Sequence, residues 1–317
     1  MNCLCCGKPL PTEEVPDGWH RRCVKRFFGT ASLPLIDLGE EELTLLAVQS
    51  TSLGYTVPGV QKKLSLHLNT DKNHPRLTLI NYPAGYILKP QVEEFQALPE
   101  AEHLCMSMAQ AAGLSVVPHA LIQCGSSLAY ITKRVDRVLD GAAVIKLAME
   151  DFCQLDLRLT RDKYRGSYER CAKIIDRHSA RKGLDMSELY LRIVFSYLTG
   201  NSDMHLKNFS LIQTKVNSSE YILSPAYDLL PVNIVMPEDT EQFALAMNGK
   251  KTNLRRKDFL IFAEKCGIEK NAAEKMIGKM LYMRQRFEGM CRESLMPADM
   301  KECLIQLIGQ RSQTLMP

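Results

Sequence analysis

The sequence predicts an α+β protein of two lobes, strand-rich in its first half and mostly helical in its second. Three observations predict it. Between residues 63 and 133, short runs of alternating apolar and polar residues are separated by turn formers. From about residue 139 the period changes to that of amphipathic helices. The chain has 317 residues, 45% of them hydrophobic, enough for more core than one small domain needs.

Residues 1–30 stand apart as a module with four cysteines, His20, the only Trp, and the basic residues Arg21, Arg22, Lys25 and Arg26. A first lobe is expected over 31–137 and a second over 138–317. Leu64, Leu66 and Leu68 alternate with Ser65, His67 and Asn69, a second run covers 76–80, and a third is Tyr86-Ile87-Leu88-Lys89. An antiparallel sheet is the simplest arrangement. Residues 99–112 read as a helix with Leu104, Met108 and Ala111 on one face and Gly113 as its stop. Strands over 120–124 and 128–133 are joined by the turn Gly125-Ser126-Ser127. Asp185-x-x-Glu188 reads as a capping box opening a helix over 189–198, closed by Gly200.

Lys plus Arg number 40 against 36 Asp plus Glu, and a net charge of +4 does not point to nucleic acid or an anionic membrane as direct partner. No apolar run is long enough to span a bilayer. The start, Met1-Asn2-Cys3 leading to Gly7-Lys8-Pro9, lacks the pattern of a signal peptide. Eleven cysteines without an export signal read as reduced thiols with any metal ligands among them, which places the protein in the cytoplasm.

Directly after Gly200, Asp203 and Asn208 have four residues between them, the D-x-x-x-x-N spacing of a kinase catalytic loop. Phosphoryl transfer needs a carboxylate to orient and deprotonate the attacking hydroxyl, and a nearby oxygen ligand for Mg²⁺ on the phosphates. Strands over 209–213 and 221–223, joined by a polar loop, would carry Asp228 back beside Asn208 as a second magnesium ligand. Residues 54–63, with Gly54 and Gly59 and a basic end at Lys62 and Lys63, suit a loop covering ATP phosphates; a strand rather than a helix follows, so this is no Walker A loop. Lys89, at the end of its strand, suits a phosphate-binding lysine with Glu102 as ion-pair partner, and Glu93, Glu94 and Glu100 compete for that place. The segment from Lys133 to Arg137 lies where a kinase hinge binds adenine through its backbone.

These residues resemble the HipA-like serine/threonine kinase toxins of bacterial toxin-antitoxin systems, especially the short HipT type. The matching segments are Pro58-Gly59-Val60-Gln61-x-Lys63, Tyr86-Ile87-Leu88-Lys89, Glu102 with Met108-Ala109-x-Ala111-Ala112-Gly113, Lys133-Arg134-Val135-Asp136-Arg137, Glu150-Asp151-Phe152-Cys153-Gln154, residues 203–210, and Tyr227-Asp228. The resemblance implies a bilobal protein-kinase-like fold with a strand-rich N-lobe and a mostly helical C-lobe. It implies Asp203 as catalytic carboxylate, Asn208 and Asp228 as magnesium ligands, and Lys89 on the phosphates. Further ATP contacts are implied from Pro58, Gly59, Val60, Gln61, Lys62 and Lys63, from Lys133, Arg134 and Val135, from His205, Lys207 and Asn208, and from Tyr227 and Asp228. Autophosphorylation is implied at Thr56, where the family carries a hydroxyl residue beside the loop; Pro58 stands where the short type has a second. Family substrates include aminoacyl-tRNA synthetases, and implied partners are a small HipS-like protein, in place of an N-terminal subdomain found in longer members, and a DNA-binding HipB-like antitoxin.

Cys3-x-x-Cys6 and His20-x-x-Cys23 form the paired spacing of a structural zinc site, with Cys5 spare. Two readings stand for them: four zinc ligands, or ordinary thiols of a small core. Two further readings of the whole chain differ in class from an active kinase: a kinase-fold pseudoenzyme acting as a binding module, and a zinc-containing nucleic-acid-binding regulator. The set Lys89, Asp203, Asn208 and Asp228, complete here, separates the first of these from a catalyst.

Overall fold

The computed structural model describes residues 1–11, 17–36, 63–69, 75–78, 85–140 and 143–317. Pro58, Gly59, Val60, Gln61, Lys62 and Thr56 lie outside them. The chain divides into two compact units, the first comprising residues 1–103 and 117–144, the second 104–116 and 145–317.

The first unit is built on a six-stranded sheet in the order β1-β3-β2-β4-β6-β5, from β1 (Leu35–Ile36), β2 (Leu64–Asn69), β3 (Arg76–Thr78), β4 (Tyr86–Pro90), β5 (His119–Cys124) and β6 (Ser127–Lys133). β1 and β3 run parallel and the remaining neighbours antiparallel. Alternation decides the faces. Leu64 and Leu66 lie opposite Leu88 and Tyr86, and all four are buried, whereas Ser65 between them is exposed. Lys89 therefore falls on the other face, opposite Tyr130 of β6. The β5–β6 hairpin turns on Gly125, whose φ of +60° suits a two-residue turn rather than the three-residue one expected.

The described part of residues 1–30 packs onto this sheet. Helix α1 (Arg21–Phe28) buries Cys23, Val24, Phe27 and Phe28 and exposes its four basic residues. The rings of Phe27 and Phe28 meet Trp19 and Tyr86. The Trp19 Nε1–H donates to the Leu121 carbonyl at 3.1 Å, and the Leu121 N–H donates to the Leu4 carbonyl at 2.9 Å. Helix α2 (Leu98–Ala111) starts in the first unit, continues in the second from Leu104, and stops at Gly113, where φ is +87°.

The expectation of helix from residue 139 needs correction. A two-stranded ribbon, β7 (Arg137–Asp140) with β8 (Ala143–Lys146), and a further strand, β9 (Met149–Asp151), come first. In the second unit β9 pairs with β10 (Ser210–Gln213), which pairs with β11 (Tyr221–Leu223), all antiparallel. Around this sheet lie α3 (Phe152–Leu155), α4 (Tyr168–His178), α5 (Lys182–Thr199), α6 (Val232–Val235), α7 (Arg256–Lys265), α8 (Lys270–Tyr282), α9 (Arg284–Glu293) and α10 (Ala298–Leu315). The core gathers Tyr168, Tyr197, Phe243, Phe259 and Phe262 in edge and tilted ring contacts.

Helix α5 starts at Lys182, before the expected capping box. Asp185 lies inside the helix, fully buried, and its carboxylate accepts from Ser179 Oγ, Arg181 Nε and the Leu223 N–H. The carboxylate thus ties α5 to β11 rather than capping it. The expected end at Gly200 holds, with φ of +78°. No described helix is long and apolar enough to cross a membrane.

Candidate active site

In the first unit, β4 delivers Lys89 and α2 delivers Glu102, and their Nζ and Oε1 atoms meet at 2.5 Å. Only 3% of the lysine and 1% of the glutamate side chain is exposed. Tyr130 offers its ring face to the same ammonium at 5.3 Å. Of the candidate acidic partners, Glu102 is thus the one that pairs.

The segment expected at the hinge is held from both sides. The Lys133 N–H donates to the Pro118 carbonyl and the Arg134 N–H to the Gly85 carbonyl, at 2.9 and 2.8 Å. The Arg134 guanidinium grips both oxygens of Asp136, and Arg137 bonds the same carboxylate. Burial alone would raise the Asp136 carboxyl, but Arg134 and then Arg137 hold it below the usual range. Two of the three backbone donors of Lys133, Arg134 and Val135 are therefore engaged within the unit. Lys63 is exposed immediately before β2.

In the second unit the constellation grows out of the end of α5. Gly200 terminates the helix with φ of +78°, a conformation that favours glycine, and a Cβ there would come within 2.5 Å of Leu307 Cδ2, so a side chain would also have to displace the tip of that leucine. Asp203 follows, and its N–H donates to Asn201 Oδ1 at 3.3 Å. Asn208, in a short 3₁₀ turn over Leu206–Asn208, donates from Nδ2 to the Asp203 carbonyl at 3.0 Å and closes the loop on itself. The Lys207 Nζ donates to Asp151 Oδ2 at 2.6 Å, so its ammonium is turned to the end of β9. Asp151 also caps α3, accepting from the Gln154 N–H, while Gln154 Oε1 accepts from the Asp151 N–H.

Asp228 is carried back to this loop as expected from the strand pair. The Ser224 N–H donates to the Ser210 carbonyl, the Ala226 N–H to the Ser115 carbonyl, and the buried Arg192 Nη2 to the Ser224 carbonyl. Arg192 is itself paired with Glu188 at 3.0 Å, and Glu188 accepts the Ser115 N–H. Tyr227 donates its hydroxyl to the Lys207 carbonyl at 3.0 Å and meets Ser210 Oγ at 2.5 Å, sealing the returning segment to the Asp203–Asn208 loop. Asp228 itself has φ of +55°, in the left-handed region that a non-glycine residue rarely occupies.

Residues that sequence reasoning did not assign, together with His205, which it did, complete the site. The Tyr164 hydroxyl donates to Asp203 Oδ1 at 2.7 Å, and the buried Lys163 ammonium lies against the Tyr164 ring. His205 is buried, with Nε2 3.9 Å from Asp203 Oδ2 and its ring edge-on to Tyr164. Beneath the loop, Ser202 Oγ donates to Asp239 Oδ2 at 2.6 Å. Asn233 bonds the Asp239 carbonyl and accepts from Arg311, whose other Nη donates to the last turn of α5 at the Tyr197 carbonyl.

The Asp203 side chain keeps 44% of its surface open. Crowding by its surroundings nevertheless pushes its carboxyl upward, and the like charges of Asp228 and Asp239 add to the shift, against the Tyr164 hydrogen bond and Lys163. A carboxylate so placed is a better proton acceptor than an ordinary aspartate.

The family model described as HipA-like C-terminal domain matches residues 55–286. The chain belongs to this HipA-like family. A Haemophilus influenzae relative named "Putative kinase" is 26% identical over 339 residues, covering 96% of the HipA-like chain and 94% of the relative. "Putative kinase Y4dM" of Sinorhizobium fredii is 30% identical over 247 residues, covering 72% and 58% respectively. Among solved structures, the Shewanella oneidensis toxin-antitoxin complex of HipA, HipB and operator DNA contains a chain with a TM-score of 0.68 at 20% identity, covering 81% of this chain and 64% of that one. The Helicobacter pylori proinflammatory kinase CtkA has a TM-score of 0.54 at 17% identity, covering 79% and 93%. The HipA-like chain therefore spans nearly all of the Haemophilus relative but less than two thirds of the Sinorhizobium protein and the Shewanella chain. At these identities the structural likeness is one of fold, and that fold is kinase-like.

Proposed function

We propose that the protein is an ATP-dependent serine/threonine protein kinase of the short, HipT-like type, with residues 31–137 as nucleotide-binding lobe and 138–317 carrying the catalytic loop. The carrying observation is the hydrogen-bonded frame that fixes Asp203, Asn208 and Asp228 together while leaving the Asp203 carboxylate open and raised toward base strength. Two neighbouring carboxylates that repel one another, with an amide oxygen beside them, suit a divalent cation. Magnesium held by Asn208 and Asp228 would neutralise charge on the phosphates.

In this reading Asp203 accepts the proton of the acceptor hydroxyl as its oxygen bonds the γ-phosphorus, and the bond to the bridging oxygen breaks to release ADP. Lys89, oriented by Glu102, holds the phosphates. Lys63 with Pro58, Gly59, Val60, Gln61 and Lys62 covers them, and the Val135 backbone is proposed to meet the adenine, since the N–H groups of Lys133 and Arg134 already donate to Pro118 and Gly85. Thr56 is the proposed autophosphorylation site. The relatives' names support kinase activity, and the HipB of the Shewanella complex supports an antitoxin partner; a cytoplasmic protein such as an aminoacyl-tRNA synthetase is the proposed substrate.

Purified protein incubated with magnesium and γ-labelled ATP is expected to transfer phosphate to protein, with mass spectrometry locating it. Asp203→Gln should abolish transfer yet keep magnesium-dependent ATP binding, and Asp228→Gln should lose the binding. Transfer at the wild-type rate by Asp203→Gln overturns the assignment.

A further inference from the structure

We propose that Cys3, Cys6, His20 and Cys23 bind one structural zinc ion that holds the N-terminal module against the outer edge of β5. The four ligand atoms lie within 4.8 Å of one another. Sulfur atoms around tetrahedral zinc, with bonds of about 2.3 Å, sit about 3.8 Å apart, so side-chain rotation alone closes the set.

Each half of the site has the backbone it needs. The first is a knuckle in which the Gly7 N–H donates to the Cys3 carbonyl, the Cys3 N–H donates to the Lys8 carbonyl, and Gly7 takes φ of +67°. The second is the start of α1, where His20 precedes the first turn and the Cys23 N–H donates to the His20 carbonyl. That spacing puts the imidazole and the Cys23 thiol on one side of the helix end.

The histidine is oriented as a ligand. Its Nε2–H donates to the Pro9 carbonyl at 3.0 Å, and a carbonyl can only accept. The remaining nitrogen, Nδ1, thereby presents its lone pair, 3.4 Å from Cys6 Sγ and 3.9 Å from Cys23 Sγ. This outer hydrogen bond from the second ring nitrogen to a carbonyl is the arrangement that fixes metal-binding histidines. The His20 N–H further donates to Cys3 Sγ at 3.4 Å, as suits a thiolate. Three thiolates with one zinc leave a net negative charge, which the basic face of α1 complements. All four positions are filled by protein, so no site is left for a catalytic water.

The consequence lies next door. β5 is the last strand of its sheet, and the outward N–H and carbonyl of Leu121 are met by Leu4 and Trp19. Leu4 lies between two ligands and Trp19 adjoins a third. Gly18 permits the close approach, having φ of +69° with Leu4 within 3.1 Å of where a Cβ would stand. The metal thus secures the residues that cover an otherwise open strand edge.

Elemental analysis of the full chain, purified without added metal, is expected to find about one zinc per chain. Exchange with cobalt should give the visible bands of tetrahedral thiolate coordination, lost in Cys6→Ser and kept in Cys5→Ser. Removal of zinc from the wild type with a chelator should speed hydrogen exchange at the Leu121 amide. Cobalt bands unaffected by Cys6→Ser, or a folded wild type that purifies metal-free with Cys3, Cys6 and Cys23 alkylated rapidly, overturns the proposal. None of these readouts needs phosphate transfer, so the result is independent of the kinase reading.

Discussion

The Lys89 ammonium and the Glu102 carboxylate meet where almost no water reaches either of them. A buried ion pair returns little of its desolvation cost, so its presence points to a use other than stability. Lys89→Met alone should strand a carboxylate and cost about 3–5 kcal/mol, whereas Lys89→Met combined with Glu102→Leu should recover most of that in denaturant melts while remaining inactive. A double variant no more stable than the single one would refute this account of the pair. Tyr164 tests the chemistry instead. Its hydrogen bond favours the ionised Asp203, so in Tyr164→Phe the Asp203 carboxyl should titrate higher and the acid limb of kcat/KM should move to higher pH. A limb that stays in place while kcat falls would make the tyrosine a packing residue. Lys89, Asp203, Asn208 and Asp228 were legible in the sequence because their spacing sits on recognisable elements. Tyr164 was not, since the fold alone brings it from 39 residues away to the open carboxylate.

The strands of the first unit were legible for a related reason: Leu64, Leu66 and Leu68 repeat at the period of a half-buried strand. β7, β8 and β9 have three or four residues each, too few for a period to declare itself against the helices that follow. Asp185-x-x-Glu188 misled because it has the form of a cap, while its carboxylates serve Leu223 and Arg192 across the fold. The joint between α5 and the Asp203–Asn208 loop is tightly constrained. Gly200→Ala combines a left-handed backbone with a clash against Leu307, and should destabilise by about 2 kcal/mol or more. Adding Leu307→Ala should relieve the clash and leave the backbone term, so a partial return of the melting midpoint is expected. Full return would mean that the conformation at residue 200 costs nothing.

At the scale of the whole molecule, acid should act first through the histidines of the first unit. Burial holds His119 down at about 4, and His103, 5.4 Å from it, is held down too, by burial and then by His119, although it keeps more of its surface. Above the ordinary value of 6.5 neither the folded nor the unfolded form is protonated there. Below it the unfolded chain takes up protons that the folded one refuses. Stability is therefore complete above pH 6.5 and falls as pH drops toward 4, by up to about 1.4 kcal/mol per pH unit for His119 alone. Urea midpoints across that window should fall in the wild type and flatten in His119→Phe. A different tension resides at Asp228, whose left-handed backbone strains the chain while its charge presses on Asp203. Asp228→Gly relieves both and is expected to stabilise the fold by about 1 kcal/mol, read as a raised melting midpoint, as it removes the proposed metal ligand. Heat resistance and phosphate transfer then select opposite residues at one position. A variant library sorted for survival on heating would enrich Asp228→Gly, and its fittest members would be its inert ones.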